Sequence, residues 1–162
     1  MGVSGDAVWV RVAGRGSFQN STGLKDFAAE MTRRGHKAFV VDLQECELMD
    51  STFMGTLAGM ALRLGDEGSV KVIRANPRNR QVLGILGLDR VMTVEDTPPA
   101  ATAAPSEEKW HEPGEDGARE AKRETIIEAH ESLAAVNPEN AVRFKDVLEF
   151  LEQKTPEGQG RP

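Results

Sequence analysis

Tyrosine is absent, cysteine occurs once, and no apolar run comes near the roughly 20 residues a membrane-spanning helix needs. Each shortage removes a class of protein. The lone Cys46 excludes an internal disulfide and fits a reducing cytoplasm, the expected location. Met1-Gly2-Val3-Ser4-Gly5-Asp6 lacks the basic-then-apolar order of a signal peptide. Neither Gly-x-Gly-x-x-Gly nor Gly-x-x-x-x-Gly-Lys-Ser/Thr occurs, so no nucleotide phosphate loop and no cofactor is expected. His36, His111 and His130 are scattered without ligand spacing, and no metal site is expected. His36 follows a helix end and reads as a surface residue. Cys46 lies between Glu45 and Glu47, without the cationic surroundings of a reactive thiolate, and reads as a small buried side chain. With no convergent catalytic set, an enzyme is not expected.

Positive charge is also scarce. The net charge is −6, and it is unevenly spread. Residues 1–96 hold 12 Lys+Arg and 12 Asp+Glu, whereas residues 97–162 hold 8 and 14. No basic footprint for nucleic acid exists. A neutral core with an acidic appendage suggests two modules.

The pattern of the first module alternates strand and helix. Ala7 to Val12 sets Trp9 and Arg11 against Val8, Val10 and Val12, a period-two strand. Gly14-Arg15-Gly16-Ser17 reads as a turn, and Asn20, Ser21 and Thr22 as caps of a helix running to about Arg34. Leu24, Phe27, Ala28 and Met31 supply its apolar face, and Gly35 ends it. Ala38 to Leu43 is a nearly all-apolar strand, so it is expected at the centre of the sheet. A helix from Ser51 to Leu64 should bury Met54, Leu57, Met60 or Ala61, and Leu64. Its Gly55 and Gly59 each weaken it by roughly 1 kcal/mol relative to alanine, but make a smooth face for close approach. Val70 to Ile73 is a further strand, Asn76-Pro77 opens a helix closed by Gly87, and Val91 to Val94 is a last short strand. This order predicts an α/β layer with mostly parallel central strands.

Residues 97–118 have the Pro-, Ala-, Gly- and Glu-rich composition of a linker. Residues 119–154 read as a helical hairpin broken at Asn137-Pro138, and 155–162 as a disordered tail. Ile126, Ile127, His130 and Leu133 form one stripe; Val142, Phe144, Val147, Leu148 and Leu151 form the other. Two short helices cannot bury both stripes, so the hairpin needs a partner surface. A second copy of the chain is slightly favoured over its own first domain.

The chemistry-bearing step is Asp50-Ser51-Thr52 at the mouth of the Ser51–Leu64 helix. In the simplest reading a Ser or Asp oxygen caps the helix. A hydroxyl in that position is also a good phosphoryl acceptor, because the helix N-terminus offers unpaired N–H groups and partial positive charge. A phosphoryl group would bring about −1.5 to −2 charges beside Asp50.

Val40-Val41-Asp42-Leu43, Leu48-Met49-Asp50-Ser51-Thr52 with Gly55, and Val72 to Asn76-Pro77 running on to Leu86-Gly87-Leu88-Asp89-Arg90-Val91 carry a resemblance. Over about Ala7 to Val94 the chain resembles the STAS domain, found in bacterial anti-sigma-factor antagonists and in the cytoplasmic part of sulfate transporters. The resemblance implies a sheet of four or five strands with helices mainly on one side, here followed by the α-helical hairpin. It places Ser51 on the family's phosphorylatable serine, Asp50 on the aspartate before it and Cys46 on a core site. It implies an anti-sigma factor or a GHKL-type serine kinase as partner, met through Asp50, Thr52, Phe53 and Met54. The chain departs from the pattern twice: Phe53 stands where antagonists have glycine, and Gly14-Arg15-Gly16-Ser17 where they read Gly-x-Leu-Asp. Phe53 is therefore expected to be exposed or half covered, as a partner anchor. The expected function is a phosphorylation-controlled partner switch. The alternative is a non-catalytic scaffold that assembles through the STAS surface and the hairpin. A lipid-transport accessory role gains no support from the neutral core.

Overall fold

A computed structural model describes residues 2–4, 7–95 and 119–153. The expected linker at 97–118, the tail from residue 155 and His111 lie outside the described residues. The first module is a five-stranded sheet in the order β1 (Gly2–Ser4), β2 (Ala7–Gly16), β3 (Ala38–Met49), β4 (Ser69–Ile73), β5 (Thr93–Glu95). β1 pairs antiparallel to β2, and the remaining four strands are parallel. The connections are α1 (Phe18–Arg33), α2 (Ser51–Leu64) and α3 (Pro77–Ile85). Because spatial order follows chain order, same-handed crossovers put all three helices on one face.

Register explains the core. Val10, Val41, Val72 and Val94 are aligned across β2 to β5, and Val8, Phe39 and Val70 make the row beside them. Both rows join Leu24, Ala28 and Met31 of α1 and Leu57, Met60, Ala61 and Leu64 of α2 in one cluster. The alternate positions Ala7, Trp9, Val40 and Ile73 form a second apolar cluster.

Four boundaries depart from the sequence expectation. Gly14 to Gly16 is not a turn: β2 continues to Gly16 through two register shifts against β3, with Gly14 at φ +77°. Those slips break the period-two signal. β3 correspondingly runs past Leu43 to Met49, although its pairing with β4 stops at Asp42. On the β4 side no described strand lies beside its second half; Asn76 and Asn79 at the start of α3 donate to the Cys46 and Glu47 carbonyls there, and Gln44, Glu45 and Glu47 are exposed. The cap of α1 is Ser17, whose Oγ accepts the Gln19 N–H, while Asn20 Oδ1 accepts the Ser17 N–H. Ser21 and Thr22, expected as caps, are buried inside the helix. The last strand begins at Thr93 because Leu88–Arg90 forms a single 3₁₀ turn.

Beyond the sheet lie α4 (Arg119–Val136), α5 (Pro138–Arg143) and α6 (Lys145–Gln153). α4 packs on α2 and α1 of the same chain, so the first domain supplies a partner surface for the hairpin. The second arm is not one helix; it breaks at Phe144. The buried face of α4 is Thr125, Ala129, His130 and Leu133, and Leu133 joins the main core. Ile126 and Ile127 are only half-buried. Val142 of the other stripe is 79% exposed, and the polar side chain of Asn140 is buried in its place. Asn140 Nδ2 donates to the carbonyls of Leu86 and Leu133, both at 2.8 Å, tying α5 to the end of α3 and to α4.

Candidate functional site

The end of β3 delivers Asp50 to a point where two helices start. Asp50 Oδ1 accepts the Phe53 N–H and Oδ2 the Phe18 N–H, each at 2.8 Å, while its own N–H donates to the Gly16 carbonyl at 2.8 Å. One carboxylate thus satisfies orphan donors of α1 and α2 and offsets the positive ends of both. Asp50 is the cap, so Ser51 is not. Ser51 occupies the first position within α2 and is half-buried, with its hydroxyl free of capping duty.

That hydroxyl meets His130 of α4, Oγ to Nε2 at 2.8 Å. His130 Nδ1 lies 2.8 Å from the Ile126 carbonyl oxygen. A carbonyl can only accept, so Nδ1 carries the proton and, in the neutral ring, Nε2 accepts the Ser51 hydroxyl proton. The ring is 2% exposed and stands edge-on to Phe144, with centroids 5.0 Å apart. Ser51, Thr52, Ile126, His130, Asp146, Val147 and Phe150 line an open groove of about 460 Å³. No Lys or Arg is among those lining residues, and Asp50 and Asp146 are the acids nearest the hydroxyl along the chain and across the groove.

Phe53 is not exposed. It is 2% exposed, and a Cβ at Gly16 would come within 2.8 Å of its ring, so the ring seals the end of β2. The expectation of an exposed anchor fails because α2 turns positions 53, 54, 57, 60, 61 and 64 toward the sheet. Met54, at 4%, lies in the same core, and Thr52 is 6% exposed at the base of the groove. Of the expected partner-contacting residues, Asp50 is a half-buried cap and the other three are buried.

The outer side of α2 is small and polar. Gly55, Thr56, Gly59 and Arg63 face Thr125, Glu128, Ala129 and Ser132 across a narrow crevice. A Cβ at Gly55 would overlap the Ala129 carbonyl, and one at Gly59 would lie 3.0 Å from Ser132 Oγ. Thr22 Oγ1 donates to Thr125 Oγ1 at 3.0 Å, and Lys25 pairs with Glu128. Sequence reasoning read the glycines as a smooth face but did not find its occupant.

Other chemistry-bearing groups are engaged in structure. Cys46 is buried; burial, and more weakly Glu47, push its thiol above the ordinary range. Asp42 is buried against Arg74, with Nη2 to Oδ2 at 2.5 Å. Among the described residues no cluster of His, Cys, Asp and Glu could hold a metal, and no helix is long and apolar enough to cross a membrane.

Residues 2–94 match the family model described as "Mlab, STAS domain", so the chain belongs to the STAS domain family. Among solved structures it is similar to a proposed anti-sigma factor antagonist from Thermotoga maritima, in a crystal structure. The TM-score is 0.55 at 20% identity, covering 59% of this chain and 83% of that one. An NMR structure of the Thermotoga protein TM1081 gives a TM-score of 0.54 at 20% identity, covering 59% and 78%. No curated protein matches the chain.

Proposed function

We propose that this protein is a non-enzymatic interaction module, a partner switch of the anti-sigma-factor-antagonist kind, controlled by phosphorylation of Ser51. The carrying observation is that Asp50, not Ser51, caps α2, which leaves the Ser51 hydroxyl uncommitted to the backbone at a helix N-terminus. Family membership and the Thermotoga likeness support the same reading. A phosphoryl group there adds about −1.5 to −2 charges between Asp50 and Asp146, in a groove whose lining has no lysine or arginine. A partner that docks against that surface loses affinity, and a few kcal/mol of differential binding is enough to switch it. The partner is an anti-sigma factor or a GHKL-type serine kinase, and the setting is cytoplasmic.

The test is intact-mass analysis of the protein from its native cells beside a Ser51→Ala variant. One phosphoryl group that disappears with the substitution is expected; unmodified protein under all growth conditions would remove the switch.

One observation favours a second reading. Val142, at 79% exposure, leaves apolar surface on the hairpin. A scaffold that self-associates through that surface needs no modification of Ser51. A concentration-dependent mass in light scattering, abolished by Val142→Lys, would favour it.

A further inference from the structure

We infer that the outer face of α2, with Thr22 and Lys25 of α1, is a helix-docking groove that α4 fills as a built-in competitor of an external partner helix. The inference rests on the Ser51 face being the partner surface and adds how that surface is closed and what opens it.

Four observations define what the groove accepts. Gly55 and Gly59 permit a backbone approach so close that a methyl group at Gly55 would overlap the facing carbonyl. The facing residue must therefore be small, as Ala129 is. One turn further along, Leu133 reaches the main core and is fully buried, so the helix must bring an apolar side chain there. On the α1 side Thr22 and Lys25 take a hydroxyl and a carboxylate, supplied by Thr125 and Glu128. The partner is thus a protein helix with a small residue at the crossing, a leucine four residues on, and a hydroxyl and a carboxylate along one edge.

His130 couples this closure to Ser51. The Ser51–His130 hydrogen bond exists only while α4 is seated, and the ring covers the hydroxyl that a kinase must reach. A phosphoryl group on Ser51 removes the hydroxyl proton that His130 Nε2 accepts, so modification loosens the seat of α4. Partner docking requires α4 to lift, and a phosphoryl charge on Ser51 repels the partner from the groove so opened.

The test uses the full-length chain and a fluorescent synthetic peptide of residues 119–150. In the wild type α4 is tethered, at an effective concentration on the order of millimolar, and excludes the free peptide. Ala129→Glu enlarges α4 at the crossing and leaves the groove itself intact. The variant chain is expected to bind the wild-type peptide at least about tenfold more tightly than the wild-type chain does, because the tethered competitor is gone. Adding Gly55→Ala to that variant should abolish the gain, since the new methyl group fills the approach. Equal binding to wild type and Ala129→Glu would overturn the inference, as would binding that survives Gly55→Ala. An Ala129→Glu chain whose α4 amides stay as protected from hydrogen exchange as the wild type's would refute the close crossing itself. If Ser51 carries phosphate in cells but the groove refuses the peptide, the switch stands and this inference falls. If the groove binds the peptide but Ser51 is never modified, the groove stands and the phosphorylation reading falls.

Discussion

The two faces of α2 are built on opposite rules. The inner face presents Phe53, Met54, Leu57, Met60, Ala61 and Leu64 to the sheet, all buried. The outer face presents Thr52, Gly55, Thr56 and Gly59 to α4, equally buried but almost without apolar bulk. Burying a large apolar side chain contributes about 1.5–3 kcal/mol, whereas a glycine contributes close contact and little transfer energy. The outer interface relies on Leu133, on a few hydrogen bonds worth about 1 kcal/mol each, and on shape. The inner face buries the bulk of α2's apolar side chains; the outer face makes a contact with little apolar area of its own.

Phe53→Gly attacks the inner face and should have the largest effect. Truncating a buried phenylalanine costs about 3–5 kcal/mol, and glycine in a helix adds roughly 1 more. Urea denaturation should show that loss, and a variant as stable as the wild type would mean the inner face is not what holds α2. Leu133→Ala should come next, at about 2–4 kcal/mol. Its effect should be concentrated in α4 to α6, readable as faster hydrogen exchange there than in β2 to β4. Uniform loss of protection would erase the distinction between the faces.

Asp50→Ala removes a cap shared by two helices and should cost about 1–2 kcal/mol by the same denaturation measurement. Asp50→Asn should recover part of it, because the amide oxygen can still accept one of the two N–H groups. The smallest effect concerns Cys46. Its thiol is pushed up by burial, so the folded protein should alkylate slowly at neutral pH, and faster only as pH rises through the raised value. The stability that goes with the neutral buried thiol is present below the unfolded thiol's pKa and is lost above it. Alkylation at the rate of a free cysteine at pH 7 would place Cys46 outside the core.

Much of the inner face was legible in the sequence, and little of the outer one. The valine alternation in β2, the apolar run of β3 and the heptad-like spacing of Leu57, Met60 and Leu64 are local signals that burial enforces. Phe53 was misread because an aromatic at a position where the resemblance implied glycine suggested an exposed anchor, yet helix geometry puts it beside Met54 on the sheet side. The strands outran their patterns at Gly14 because a register shift moves side chains to the other face. The Ser51–His130 pair joins residues 79 apart in sequence, and periodicity carries no information about such a meeting. A histidine inside an apolar stripe was the one available signal. The buried Asn140 had none, since its role depends on carbonyls left at the ends of α3 and α4.

The central claim is that His130 ties Ser51 to α4 and that negative charge at Ser51 releases it. Hydrogen-exchange mass spectrometry of the full-length protein, wild type against Ser51→Asp, tests it most directly. An aspartate in the first turn suits α2 itself, so the fold of the sheet domain should stand. It removes the hydroxyl that His130 accepts from and adds charge between Asp50 and Asp146. The account predicts lost protection across α4 with β2, β3 and β4 unchanged. Unaltered protection of α4 in Ser51→Asp would contradict it.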